Sequence, residues 1–332
     1  MQAVKQYLDA VKLHELFTSR NDADDIRLGD IIAPLPESGG LSGAIVLIGV
    51  PQDEGVRRNG GRVGAATAPD AIRKALYKFT PVFFAKDKVT QVNRLRIYDA
   101  GNLLTDGIVL EEIHLRQRKV VRQLLREGAL PIVLGGGHDI AYPDGAALGD
   151  LAEPFSVINI DAHTDVRPLI DEEYAHSGSG FRQLLEDRSL QLRDFCEFGI
   201  QSFAVSKQHI DYVWSCGKSV VSYDEIRSTG SFEKSFSTVL SSCASEGDNI
   251  YVSFDMDAVA SAFAPGVSAP AAVGFTAEEI CRAAEICGEN PAVKLIDIAE
   301  VNPAFDIDGR TAKLAALVIA HFMGSVARKS EM

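Results

Sequence analysis

From residue 44 onward, short apolar runs alternate with longer amphipathic stretches. The runs are rich in Val, Ile and Phe and mostly lack in–out alternation, which is typical of parallel strands covered by helices on both faces. We predict strands over residues 44–50, 95–100, 131–134, 155–160, 195–200, 219–222, 249–254 and 293–298.

The stretches between these runs carry apolar residues at helical spacing. We predict helices over residues 69–78, 110–127, 207–214, 232–243, 277–287 and 311–323. Strands that alternate with helices form right-handed crossover units around a parallel sheet. The pattern therefore predicts one doubly wound α/β domain of about eight strands, and an eight-stranded barrel of the same periodicity stays open as an alternative. We expect the polar residues 1–40 to form an N-terminal extension packed on a single domain over residues 41–332.

Composition and charge exclude several classes of protein. The chain is 46 % hydrophobic and 24 % charged, which is ordinary for a globular protein, and no apolar run approaches the roughly 18 residues of a membrane span. The net charge of −13 disfavours nucleic acid as a partner. Five widely spaced cysteines without a CxxC pair indicate reduced thiols. We expect a cytoplasmic protein with no nucleic-acid or membrane partner.

Polar clusters follow four of the predicted strands directly. They are GGGHD at residues 135–139, DAHTD at 161–165, DMD at 255–257 and EVN at 300–302. Because the carboxyl ends of strands in an open α/β sheet line the ligand crevice, these clusters are expected to meet although they are far apart in sequence.

The clusters supply two imidazoles and four carboxylates. Carboxylates gathered at the ends of buried strands raise one another's pKa, and divalent cations remove that repulsion. This ligand set is too rich in oxygen for a structural zinc site and suits a pair of ions such as Mn²⁺, with other divalent metals possible. The candidate metal ligands are His138, Asp161, His163, Asp165, Asp255 and Asp257.

Each motif taken alone has a simpler interpretation. An Asp-x-His-x-Asp segment can be a solvated turn, and a Gly-rich segment can bind phosphate with an incidental His. GGGHD lacks the ending of a Walker A loop and the spacing of GxGxxG, which disfavours a Rossmann dehydrogenase. A metal-free binding protein on the same scaffold is a further alternative, although no candidate ligand is missing.

The motifs GGGHD, DAHTD, SFDMDA and AEVNP, in this order, resemble those of the ureohydrolase family of arginase, agmatinase and formimidoylglutamase. The resemblance implies an arginase-like three-layer α/β/α fold around a parallel sheet of about eight strands, a pair of Mn²⁺ ions per subunit, and hydrolysis of a carbon–nitrogen bond in a guanidino or amidino group. It also implies a homo-oligomer.

The resemblance assigns the ligands by position. One ion would be held by His138, Asp161, Asp165 and Asp255, and the other by His163, Asp161, Asp255 and Asp257. Asp165 would also hydrogen-bond a hydroxide that bridges the ions. Glu300, at the end of an apolar run, could support a metal ligand or be an ordinary surface carboxylate; in the functional interpretation it faces the cavity and pairs with a cationic amidine or guanidinium group through a charge-assisted hydrogen bond.

Local features resemble the formimidoylglutamase branch in particular. They are the loop over residues 53–62, the third Gly of GGGHD, the segment 264–271 and the segment 302–310. Arginases carry an Asp where this chain has Gly137, and a proton-shuttling His where it has Phe181. The resemblance therefore implies hydrolysis of N-formimidoyl-L-glutamate to L-glutamate and formamide, with an arginase- or agmatinase-type reaction that releases urea as the alternative.

That substrate carries two carboxylates, so its site needs cations. Arg suits this task because its planar fork binds both oxygens of a carboxylate. The candidate substrate-binding residues are Arg58, Arg62, Arg167, Ser177, Arg182 and Glu300, and each Arg could instead form a surface ion pair. His176 is the candidate general acid, by its residue type and its place before Ser177, and Asp165 and Glu300 are the other candidate catalytic residues.

Overall fold

A computed structural model describes residues 2–37, 39–85, 88–244 and 249–330 of the chain. The predicted division at residue 40 includes positions outside these ranges, among them Met1, Ser38, Glu331 and Met332. No helix in the described ranges is long and apolar enough to cross a membrane.

The described residues form twelve strands. In chain order they are β1 Leu8–Asp9, β2 Ala33–Pro34, β3 Ile45–Gly49, β4 Val82–Ala85, β5 Lys88–Gln91, β6 Ile97–Leu103, β7 Leu130–Leu134, β8 Phe155–Ile160, β9 Leu192–Ile200, β10 Ser219–Ser222, β11 Asn249–Asp255 and β12 Val293–Ala299.

Eight of these strands run parallel in one sheet, in the order β6-β3-β7-β12-β11-β8-β9-β10. The two-residue strands β1 and β2 both pair with β6 at one edge, and β4 and β5 form a separate hairpin. The sheet is open in the described part of the chain, so the barrel alternative is wrong and the prediction of about eight parallel strands is confirmed.

The helices are α1 Gln2–Lys5, α2 Leu13–Leu16, α3 Leu28–Ile31, α4 Glu54–Arg58, α5 Ala68–Leu76, α6 Leu110–Arg126, α7 Ala141–Gly149, α8 Gly180–Glu186, α9 Lys207–Ser215, α10 Tyr223–Ser228, α11 Phe232–Cys243, α12 Ala277–Glu289 and α13 Arg310–Lys329. One apolar cluster packs α5, α11, α12 and α13 on one face of the sheet. A second cluster packs α6, α7, α8 and α9 on the other face.

Strand β3 shows why its sequence lacks polar alternation. Ile45 and Leu47 enter the first apolar cluster, whereas Val46 and Ile48 enter the second. Successive side chains of a strand point to opposite faces, so a strand covered on both faces needs apolar residues at every position. The result is the three-layer α/β/α architecture.

Helix α7 was not predicted from the sequence. Its segment contains a proline and two glycines, and nearly all of its residues are buried. Because no face of the helix contacts water, its sequence carries no amphipathic period.

The N-terminal residues belong to the same packed body. Leu16, Leu28 and Ile32 are buried in the first apolar cluster and Val4 in the second. The division between residues 40 and 41 stays a prediction, since β1 and β2 extend the sheet of the main body.

A buried ion pair joins α5 to strand β6. The Arg73 guanidinium is fully buried and donates to both carboxylate oxygens of Asp99, at 2.8 Å and 2.9 Å. It also donates to Asn102 Oδ1, and the Tyr77 hydroxyl donates to Asp99. Removing one partner of such a pair leaves an uncompensated buried charge.

We therefore expect Arg73→Met to destabilise the protein by about 3–5 kcal/mol, because Asp99 would lose its buried counter-charge. The measurement is the free energy of unfolding from denaturant titration. Lys207→Met is the matched control, because its ion pair with Asp211 is exposed and should contribute about 1 kcal/mol or less. Equal losses in the two variants would contradict this account.

Candidate metal centre and active-site cavity

Four loops meet at the carboxyl edge of the sheet. They follow the parallel strands β7, β8, β11 and β12, which are neighbours in the sheet, and they carry His138, Asp161, His163, Asp165, Asp255, Asp257 and Glu300. The convergence predicted from the sequence is thus present in the fold.

His138 faces three carboxylates at the centre of this edge. Its Nδ1 atom lies 2.9 Å from Asp255 Oδ2, 3.0 Å from Asp165 Oδ2 and 3.3 Å from Asp161 Oδ2. One ligand atom from each of the four residues lies within 4.8 Å of the others. Nδ1 is buried and has no hydrogen-bond partner within the described ranges, so the four residues could hold a divalent cation.

His163 and Asp257 lie beside this group. His163 Nδ1 is 3.4 Å from Asp161 Oδ1, on the other oxygen of the carboxylate that faces His138. The Asp257 amide donates to Asp255 Oδ1 at 2.7 Å, and Asp257 Oδ1 accepts from the Ala269 amide at 3.2 Å. Asp161 therefore lies between His138 and His163, and Asp255 lies between His138 and Asp257.

Burial and repulsion shift the pKa values of the group strongly. Burial opposes charge on His138 and His163, but the neighbouring carboxylates raise the pKa of His138 well above its usual value and that of His163 to about 9. Burial and Asp161 raise the pKa of Asp255 to about 6, and burial and Asp255 raise that of Asp257 well above its usual value. Without a metal, bound protons offset the negative charge of these carboxylates. Bound divalent cations would replace those protons.

A hydrogen-bonded chain orients His138 from behind. His138 Nε2 lies 2.8 Å from Ser253 Oγ, and the Ser253 hydroxyl donates to Asp297 Oδ1 at 2.6 Å. Tyr251 donates to the other oxygen of Asp297. When the Nε2 proton is donated to Ser253 Oγ, Nδ1 of the neutral imidazole is left with a lone pair that a bound cation could accept.

Asp161 has a similar support. Asn159 Nδ2 donates to Asp161 Oδ2 at 3.3 Å and to Glu197 Oε2 at 2.8 Å. Burial and the nearby Asp161 raise the pKa of Glu197 well above its usual value, which favours the neutral carboxyl. Asn159 therefore holds Asp161 without adding a charge.

The glycines of the GGGHD motif allow the loop to pack tightly. A Cβ atom on Gly136 would lie 1.7 Å from the Gln52 carbonyl oxygen, so no other residue fits. Asp139 of the same motif is buried and accepts from Gln52 Nε2 at 2.8 Å, with His114 Nε2 2.7 Å away. Asp139 thus fixes the turn that carries His138 rather than facing an ion.

A cavity of about 260 Å³ opens onto this group. Its buried base carries Asp255, Asp257 and Glu300, and its half-buried wall carries His163 and Asp165. Other polar side chains that line it are Asn59, Thr164, Arg167, Ser177, Ser206, His209 and Ser268.

Glu300 is held in a strained conformation. Its φ is +62°, which is unusual for a residue other than glycine, and its Oε1 accepts from the His138 amide at 2.7 Å. Its Oε2 is buried and has no hydrogen-bond partner in the described residues. Burial and Asp255 raise its pKa to about 8, so a cationic group in the cavity would favour the ionised form.

The predicted substrate-binding residues fall into two groups. Arg167 and Ser177 line the cavity, as does Glu300. Arg58 and Arg182 lie outside the lining and have other partners. Arg58 contacts Glu54, Glu111 and the Ala175 carbonyl.

Arg182 pairs with Glu186 at 2.6 Å, and its guanidinium stacks on Tyr212. Arg62 is also outside the lining. It donates to the Val267 and Ser268 carbonyls and stacks on Phe305. We therefore remove Arg58, Arg62 and Arg182 from the candidate substrate site.

His176 does not face the cavity either. Its Nε2 lies 3.0 Å from the Pro168 carbonyl oxygen, and its Nδ1 accepts from the Gly178 amide at 3.2 Å. Both ring nitrogens are thus used by the backbone, which corrects the prediction of a general acid. His176 instead fixes the turn that presents Ser177 to the cavity.

Sequence reasoning missed several polar residues of the lining, among them Asn59 and His209. Asn59 Nδ2 donates to Ser177 Oγ at 3.1 Å, and its Oδ1 is 3.4 Å from Arg167 Nη1. His209 lies in the first turn of α9, after the loop that follows β9. The available sequence signal for His209 was its place after the end of strand β9, at the same edge of the sheet. The loop between β9 and α9 carries no acidic motif.

Comparison with known proteins defines the class. The model of the arginase family matches residues 43–324, and the chain belongs to this family. Its relatives include formimidoylglutamases. The protein of that name from Psychrobacter cryohalolentis is 34 % identical over 83 % of this chain and 84 % of its own length. That from Rhodococcus jostii is 35 % identical over 89 % of each chain.

Solved structures agree with the fold. A variant of Trypanosoma cruzi formiminoglutamase, determined with Mn²⁺, has a TM-score of 0.82 at 34 % identity and covers 92 % of this chain and 99 % of its own. The formimidoylglutamase of Bacillus subtilis has a TM-score of 0.83 at 26 % identity and covers 94 % of this chain and 95 % of its own.

We expect Ser253→Ala to weaken Mn²⁺ binding about 10–100-fold, because His138 would lose the acceptor that fixes its Nε2 proton. Isothermal titration calorimetry on protein stripped of metal measures the dissociation constant. Ser215→Ala, which removes only an exposed hydroxyl on α9, should leave the affinity unchanged. An unchanged affinity in Ser253→Ala would show that Ser253 does not orient the ligand.

Proposed function

We propose that this chain hydrolyses N-formimidoyl-L-glutamate to L-glutamate and formamide with the help of two Mn²⁺ ions. The observation that carries the proposal is one cavity with carboxylates at its base and a cation at its mouth, which matches a substrate with an amidine at one end and carboxylates beyond it. The names of the relatives support the same activity.

The proposed ligands are those implied by the resemblance. His138, Asp161, Asp165 and Asp255 form one set, and His163, Asp161, Asp255 and Asp257 form the other. The placement of His138 and His163 on opposite oxygens of Asp161 supports Asp161 as a member of both sets. Two divalent ions bound there supply Lewis acidity and lower the pKa of water, so that a nucleophile is available near neutral pH.

Glu300 holds the amidine. Its buried Oε2 has no partner in the described residues and lies in the cavity lining, where a cationic N–H group can donate to it. Its Oε1 is occupied by the His138 amide, so the carboxylate cannot rotate freely. Asp165, at the wall of the same cavity, accepts a hydrogen bond from the attacking water.

The bond changes follow from this placement. Water oxygen adds to the formimidoyl carbon, and the bond from that carbon to the glutamate nitrogen breaks. Both protons of the attacking water end on that nitrogen, which leaves as the ammonium group of glutamate, and the carbon leaves with the other amidine nitrogen as formamide. Arg167 and Ser177 bind the carboxylates of the substrate, and their position in the lining supports this role.

The alternative of an arginase-type reaction lacks its proton shuttle. Phe181 stands where arginases have a His, and it is fully buried with its ring 5.1 Å from that of His138. A phenyl ring has no proton to transfer. This position supports the amidine substrate over a guanidino substrate.

A substrate panel tests the proposal. We expect formamide from N-formimidoyl-L-glutamate in the presence of Mn²⁺, and no activity after the metal is removed by a chelator. Formamide cannot form from a guanidino carbon, so urea from arginine or agmatine, without formamide from the proposed substrate, would overturn the assignment.

We expect Glu300→Gln to lower kcat/KM for N-formimidoyl-L-glutamate by about 100-fold or more, because the amidine loses its counter-charge. The glutamine carbonyl can still accept from the His138 amide, so Mn²⁺ affinity should change little. Steady-state kinetics and calorimetry measure the two effects. A variant with full activity would exclude Glu300 from substrate binding.

Two further properties are part of the proposal. None of the five cysteines forms a disulfide bond with another described residue, which supports a reducing, cytoplasmic location. Self-association, implied by the resemblance to ureohydrolases, is measurable by light scattering.

A further inference from the structure

The charges of the active-site cavity are segregated by depth. Asp255, Asp257 and Glu300 are buried at its base, whereas Arg167 is exposed and His209 is half-buried at its mouth. Arg167 and His209 are the basic side chains of the lining besides His163, which stands with the acidic group.

Neither Arg167 nor His209 has an acidic partner in the described part of the chain. Arg167 makes one long hydrogen bond, 3.4 Å from Nη1 to Asn59 Oδ1, and no ion pair. The His209 ring makes no hydrogen bond, in contrast to His114, His138 and His176. An Arg without a counter-ion is notable in a chain with a net charge of −13.

The backbone of His209 is nevertheless fixed. Ser206 caps α9, and its hydroxyl oxygen accepts from the His209 amide at 3.3 Å. Ser206 itself lines the cavity. The imidazole is thus presented to the cavity mouth from a defined first helical turn rather than from a free loop.

We propose that Arg167 and His209 together bind the side-chain carboxylate of the substrate, and that His209 is a specificity residue for this group. The inference rests on the proposed function. With the amidine on Glu300 at the base, the main-chain carboxylate stays near the reacting carbon, and only the side-chain carboxylate extends to the mouth. Arg offers this carboxylate a planar fork, and a protonated imidazole adds a second donor.

Binding through His209 depends on pH. Burial, Arg167 and Arg182 lower the pKa of His209, whereas Asp165 raises it. These neighbours favour the neutral form of the free imidazole, and a bound carboxylate raises its pKa. Its contribution to binding is present below the pKa of the complex and is lost as the pH rises through that value.

The experiment compares two substrates that differ in one charge, N-formimidoyl-L-glutamate and its side-chain amide N-formimidoyl-L-glutamine. His209→Asn should raise KM for the glutamate substrate about tenfold with little change in kcat, and should leave KM for the amide unchanged. His209→Arg, which keeps a cation, should restore KM. His14→Asn changes an exposed histidine far from the cavity lining and should have no effect.

The pH dependence separates charge recognition from a structural effect. The ratio of kcat/KM between the wild type and His209→Asn should be larger at about pH 6 than at about pH 8.5, because His209 loses its proton over that range. Ionisation of the metal centre is common to both proteins and cancels in the ratio. Arg167→Gln should raise KM for the glutamate substrate at both pH values.

Three outcomes would overturn the inference. The first is a loss in His209→Asn that is equal for the glutamate and amide substrates, and the second is a ratio that does not change with pH. The third is an unchanged KM in His209→Asn. Failure of the proposed function is seen separately, because the wild type would then release no formamide from the glutamate substrate, and the inference would fail with it.

Discussion

The main physical constraint on this site is the electrostatic repulsion among four carboxylates at the ends of buried strands. Asp161, Asp165, Asp255 and Asp257 are drawn together by the parallel sheet, which brings the carboxyl ends of its strands to one edge. Repulsion in a buried site favours either protons or cations. His138 Nδ1 faces an oxygen of Asp161, Asp165 and Asp255, an arrangement of four residues that could hold a cation.

The side chains that hydrogen-bond to His138 and Asp161 explain how the chain accommodates four carboxylates so close together. Ser253 and Asp297 hold His138, and Asn159, which also bonds Glu197, holds Asp161, so both side chains keep their direction. Such support is expected for metal ligands, because a ligand that rotates loses the ion. The loops that carry the candidate ligands also line the cavity. The same loops therefore position both the metal ligands and a bound substrate.

Charge is also ordered along the cavity. The acidic base suits an amidine, and the basic mouth suits a carboxylate, so a substrate that carries both groups is oriented by electrostatics before the reacting carbon meets the nucleophile. Arg58, Arg62 and Arg182 show that a position near a motif in the sequence does not by itself place a cation in the cavity lining. Each lies near a motif, yet each is held by glutamates or by backbone carbonyls outside the cavity.

The sequence by itself determined the parallel sheet and the six candidate ligands, because period and strand-end position are local properties of the chain. It also indicated the family, because the motifs that carry the resemblance are short continuous segments of the sequence. Tertiary structure alone decided which cations face the cavity, since Arg58 also pairs with the distant Glu111 and the partners of His176 are backbone groups that no pattern reveals. His209 was invisible for the same reason: it comes from a helix whose first turn reaches the cavity only when β9 lies beside β8 in the folded sheet.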